Sequence, residues 1–201
     1  VKSGDSPKWV IITTSIFIIL IAILIDTGKN LNWQSELYPD VQVYKLIANA
    51  MQNPWDTVPR ESAYIWIVNL FLFIFDNSDT GIRIAGLCTY YLTSCFVFLI
   101  GRNITNSVWI GAASQFVFLQ NDFLFNIAFN GLRDSYFLLA IAGLSFAMFS
   151  GDRYLSKIWR LFWLCLFFSF AIGTRLSAVG PTIFILIMSC FLAKRPLRFI
   201  W

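Results

Sequence analysis

The chain of 201 residues contains no histidine, and only 13% of it is charged. The first absence excludes acid–base catalysis by imidazole and removes the commonest nitrogen ligand for a metal. The second excludes an ordinary soluble domain, in which the charged share is about 25%. Cysteine is scarce too. Cys88, Cys95, Cys165 and Cys190 all lie in apolar stretches at spacings that match no metal motif, so they read as packing residues. Repeats and low-complexity tracts are also missing.

What the chain does have is hydrocarbon. Hydrophobic residues make up 58% and the mean hydropathy is +0.68, which together predict an all-α, polytopic membrane protein. Apolar stretches cover 9–25, 63–75, 84–101, 108–129, 135–150, 158–173 and 176–193. Crossing the hydrocarbon takes about 20 helical residues. The thirteen residues of 63–75 reach roughly 20 Å against a core of about 30 Å, so this stretch is expected to lie along the surface. The expected fold is about six transmembrane helices plus two interfacial helices, near 41–52 and 62–76, in a first outer loop of residues 26–82.

The charge distribution supports this topology. No small-residue cleavage site follows the first apolar run, and Lys2 and Lys8 precede it, as in an uncleaved signal anchor with its N-terminus in the cytoplasm. With six crossings, nine Lys and Arg fall on the inner side and six on the outer. The clusters Arg153–Arg160 and Lys194–Arg198 are then both inside, in line with the positive-inside rule. A seventh crossing by 63–75 would put both clusters outside. Pro196 to Trp201 read as the approach to a further segment.

In the outer loop, Val41, Tyr44, Ile47, Ala48 and Met51 follow helical spacing. Asp40 is expected at the N-cap of that helix, where a carboxylate accepts backbone N–H bonds and meets the positive helix end. The 108–129 stretch is unusually polar for a span. Gln115, Asp122, Asn126 and Asn130, spaced 7, 4 and 4, form one stripe on a continuous helix, pointing to a water-filled cavity on the outer side. Asp26, Glu36, Asp40, Asp56, Glu61 and Asp76 lie in or beside the loop; of these, Asp26, Glu36, Asp56 and Asp76 are expected to be solvated.

The order of elements resembles the C-type (GT-C) membrane glycosyltransferases that use polyprenyl-phosphate sugars, such as protein O-mannosyltransferases and lipid A aminoarabinose transferases. The residues that carry the likeness are Tyr38-Pro39-Asp40, Tyr44 and Ala48, then Arg60-Glu61-Ser62-Ala63-Tyr64, Gly81-Ile82-Arg83, Gly131-Leu132-Arg133-Asp134 and Gly173-Thr174-Arg175-Leu176. It spans nearly the whole chain but only the front half of such an enzyme, and Ser62 stands where many relatives have Pro.

The resemblance implies transfer of a sugar from a polyprenyl-phosphate donor to a glycan, lipid or protein acceptor at the outer face of the plasma (inner) membrane. The partners it implies are the lipid-linked sugar and the bilayer, with no nucleic acid. Asp40 matches the catalytic aspartate, often the general base toward the acceptor hydroxyl; its alternative is a helix cap alone. Asp134 is the second acidic position. If a divalent metal ion serves as cofactor, Asp40 and Asp134 are its candidate ligands. Arg133 and Arg175 are placed to bind the phosphate through their bidentate forks, or to snorkel at the interface. Arg60 and Glu61 pair to fix the second surface helix, with Glu61 helping to shape the site. Tyr44 hydrogen-bonds near the donor or anchors the interface. Asp122 and Asn126 line the cavity or join helices. Two rival readings stand beside this one: a transporter or flippase, and a catalytically incomplete fragment. A transporter calls for broken helices with midplane charges, and here most charges gather at one surface.

Overall fold

The structure is a computed structural model that describes residues 8–27, 31, 33, 35–51, 61–76, 78–149, 157–174 and 183. The described residues form eight helices and no strand: α1 (Lys8–Thr27), α2 (Pro39–Ala50), α3 (Ser62–Ile74), α4 (Asp79–Thr105), α5 (Val108–Leu119), α6 (Asp122–Phe129), α7 (Arg133–Phe149) and α8 (Lys157–Thr174). Two of them, α1 and α4, are long and apolar enough to cross a membrane, and α6 with α7 makes a third if that pair, bent by 118°, is one span. Arg60, Arg175 and most of the 176–193 stretch lie outside the described residues.

Local chemistry sets the helix ends. The side chain of Ser78 accepts from the Thr80 N–H to cap α4. Asp79 in the first turn and Arg102 in the last then complement the helix dipole. Ser107 caps α5 through the Ile110 N–H.

At α2 the structure corrects the sequence reading. The N-cap is Tyr38, which makes no side-chain capping bond, and Pro39 opens the helix. Proline suits that first position because its φ is already helical and its missing N–H would have had no partner. Asp40 is displaced into the first turn. It keeps the attraction to the helix dipole but loses the capping role.

The 108–129 stretch is not one helix. It breaks at Gln120 and Asn121, where Asn121 turns its side chain to the Leu124 N–H and starts α6. A side-chain amide that bonds locally competes with the helical ladder in this way. The polar stripe is therefore divided. Gln115 is wholly buried in α5, where its amide reaches the Ser94 hydroxyl of α4 at 3.2 Å and the Ser15 carbonyl of α1 at 3.5 Å. Asp122 and Asn126 lie on the exposed side of α6.

Helix α4 is the spine of the fold, packed by α3, α5, α6 and α7. Close approach to α6 depends on Gly86, where a Cβ would sit 2.0 Å from the Ala128 carbonyl oxygen. Helices α2 and α3 lie against α4 and α7 and share one core containing Val41, Tyr64, Ile65, Val68, Ile82 and Tyr136. Burying an aliphatic side chain of this kind from water is worth about 1.5–3 kcal/mol. Helices α2 and α3 are thus anchored to the bundle. Lys45 of α2 adds a 2.6 Å ion pair with Asp79 at the start of α4.

Candidate functional site

Three helices bring one charged cluster together. Tyr44 comes from the middle of α2, Glu61 immediately precedes α3, and Arg133 opens α7. One guanidinium nitrogen, Nη1 of Arg133, donates to the Tyr44 hydroxyl at 2.6 Å and also to Glu61 Oε1. The guanidinium carbon lies 5.8 Å from the Tyr44 ring centroid, within cation–π range.

Burial makes the cluster unlike a surface ion pair. The Glu61 side chain is 7% exposed and that of Arg133 29%. Burial, followed by the hydrogen bond and the charge of Glu61, pushes the Tyr44 phenol up to about 12, with Arg133 pulling in the opposite direction. Tyr44 therefore stays protonated at neutral pH, accepting from the arginine while its own proton faces the carboxylate. Glu61 Oε2 is buried and has no hydrogen-bond partner among the described residues.

An aromatic column supports the cluster. Tyr44 meets Tyr64 edge-on with ring centroids 5.1 Å apart, and Tyr64 meets Tyr136 in the same way at 4.9 Å. Tyr64 is fully buried and donates its hydroxyl proton to the Gly131 carbonyl at 2.8 Å. Gly131 has φ +70, a backbone conformation that glycine adopts without the Cβ penalty. A side chain there would also meet Ile82 Cγ2 at 2.4 Å. The corner between α6 and α7 is therefore held two residues ahead of Arg133, which sets the direction of the guanidinium.

Asp40 and Asp134 are carried by α2 and α7, two of the helices that form the cluster. Asp40 is exposed, one helical turn before Tyr44 on α2. Asp134 is half-buried in the first turn of α7, beside Arg133. Glu61 pairs with Arg133; Arg60, the partner expected from sequence, and Arg175 lie outside the described residues. Among the described residues no group of three Cys, Asp or Glu side chains converges as a metal-ligand set.

Three residues have a larger part than their sequence positions conveyed. Asp26, expected to be solvated, is 5% exposed and accepts a 2.9 Å hydrogen bond from the Tyr91 hydroxyl, tying α1 to α4. Asp79, one of several acidic residues in the sequence, holds Lys45. Arg83 was noted only as part of a motif, yet it is wholly buried. It donates to the Ser35 carbonyl and hydroxyl, to the Phe129 carbonyl at 3.3 Å and to Asn130 Oδ1 at 3.4 Å. It also lies 4.6 Å from the centroid of the Phe129 ring. Arg83 thereby fastens the chain after α1 to the α6–α7 corner. The one signal for it in the sequence was an arginine inside an apolar helix, which must find partners or reach water.

No protein-family model, curated protein or solved structure matches this chain.

Proposed function

We propose that the protein transfers a sugar from a polyprenyl-phosphate donor to an acceptor at the outer face of the plasma membrane, with about six crossings and a cytoplasmic N-terminus. The observation that carries this reading is the convergence of Tyr44, Glu61 and Arg133, from elements two of which also carry a carboxylate, Asp40 in α2 and Asp134 in α7. Arg133 offers a guanidinium fork to the donor phosphate, and charge that builds on the leaving phosphate is where such a group helps the rate most. Arg175, if its side chain reaches the same face, adds to that role.

The reaction is a single displacement. Asp40 accepts the proton of the acceptor hydroxyl as its oxygen bonds to the anomeric carbon. The carbon–oxygen bond to phosphate breaks at the same time, its electron pair leaves with the polyprenyl phosphate, and the anomeric centre inverts. Asp134, next to the phosphate-binding arginine, orients the acceptor. A lipid-linked donor is further favoured by an apolar groove of about 460 Å³ between α3 and α8, lined by Ala63, Trp66, Leu70, Leu166 and Phe170 and starting at Ser62.

The test is transfer from a radiolabelled polyprenyl-phosphate sugar in membranes carrying the wild type, Asp40→Ala or Asp134→Ala. Loss of transfer in both variants is expected. Undiminished transfer in both would sink the mechanism.

A further inference from the structure

Arg133 binds Glu61 Oε1 and the Tyr44 hydroxyl faces the carboxylate, yet the Oε2 atom is buried with no hydrogen-bond partner among the described residues. Leaving a charged acceptor desolvated and unpaired is costly, so buried carboxylate oxygens normally find donors. A second feature marks the same residue. Glu61 has φ 55 and ψ 41, a left-handed conformation that costs a non-glycine residue energy and is held only where the surroundings enforce it. That conformation places a glutamate at the N-cap of α3 without a capping bond from its side chain, leaving the carboxylate free to face the cluster.

We infer that Glu61 Oε2 is the acceptor for a hydroxyl of the carbohydrate substrate, which makes Glu61 a residue that discriminates sugar from no sugar. Arg133 already balances the carboxylate charge, so the missing donor is neutral, and sugar hydroxyls are neutral donors. The apolar groove between α3 and α8 begins at Ser62, the residue that follows Glu61 in the chain. This inference rests on the glycosyl-transfer reading above.

The experiment compares binding of bare decaprenyl phosphate with decaprenyl phosphate carrying mannose, glucose or arabinose, using the full chain in nanodiscs. The wild type should hold at least one glycosylated lipid more tightly than the bare one. Glu61→Gln keeps the size of the side chain but sets an N–H₂ donor against the hydroxyl. It should reduce the preference for that lipid over the bare lipid, both measured on the same variant, by about tenfold, the worth of a hydrogen bond to a charged group. Glu61→Asp keeps the charge but withdraws it by one methylene, and should also lose the preference; it carries the test if Glu61→Gln does not fold. If the variants instead lose a free methyl glycoside while retaining the lipid, the hydroxyl belongs to the acceptor sugar, which also supports the assignment. A wild type that binds bare and glycosylated lipids equally, or variants that keep the preference, would overturn it, water alone then satisfying Oε2. A wild type that binds neither lipid would overturn the glycosyl-transfer reading itself.

Discussion

The Tyr44 hydroxyl and the Arg133 guanidinium meet at 2.6 Å although 89 residues separate them in the chain. That contact joins α2 to α7, and Glu61 completes it from the start of α3. Replacing Tyr44 by Phe removes the acceptor for Arg133 and the donor facing Glu61 while keeping the ring against Tyr64. A charge-assisted bond of this kind is worth about 1.5–3 kcal/mol. The thermal midpoint of the purified protein should fall accordingly, and the aromatic column should persist in near-ultraviolet dichroism.

Glu61 and Arg133 should be energetically coupled. Removing either one leaves the other partly buried without its counter-charge, so Glu61→Gln and Arg133→Gln should each destabilise more than expected for a surface pair. A double-mutant cycle on unfolding in detergent should give a coupling of about 1–3 kcal/mol. A coupling near zero would mean that the pair is incidental to the fold.

The pH response of the cluster follows from Tyr44. Its phenol is raised from 10.0 to about 12 in the folded protein, so folding favours the protonated form. The stabilisation is therefore complete below pH 10 and is lost as pH rises through about 12. Phenolate absorbance compared between the wild type and Tyr44→Phe should show one tyrosine titrating late, and the stability difference between them should shrink across that window.

Gly86→Ala tests the packing of α4 on α6. The new Cβ would lie 2.0 Å from the Ala128 carbonyl oxygen, a backbone atom that cannot swing aside. The helices must separate, at a cost of about 1–3 kcal/mol. The variant should melt earlier and lose transfer activity as well, because the α6–α7 corner sets the direction of Arg133.

Asp40 separates function from stability. It is exposed in the first turn of α2 and caps nothing, so Asp40→Asn should leave the thermal midpoint within about 0.5 kcal/mol of wild type. In the proposed transfer, where Asp40 is the general base, the same substitution should cost about 10²–10⁴-fold in rate. Loss of stability without loss of rate would make it a purely structural residue.

The all-helical class and the apolar character of the chain were legible in composition and periodicity, because hydrocarbon-compatible backbone must satisfy its own hydrogen bonds and a helix does so locally. Tyr44, Glu61 and Arg133 stand in separate motifs of the family resemblance, and nothing in the sequence joins the three. The partner of Glu61 was not legible. Its ion pair with Arg133 joins positions 72 residues apart, and no local periodicity links them. The break at Asn121 was masked by an apolar run that continues on both sides of it, and the choice between ladder and cap there depends on one side-chain amide.

The sequence by itself determined that the chain is helical and which residues carry charge, since helical periodicity and burial preference act over a few neighbouring positions. Only the tertiary structure decided which charges meet. Gly86 lets α6 approach α4, Gly131 turns the chain, and Tyr64 holds that corner. Together they aim Arg133 at Glu61 and Tyr44. Those contacts depend on helix crossings and a single left-handed turn, geometry that is settled when the whole bundle packs.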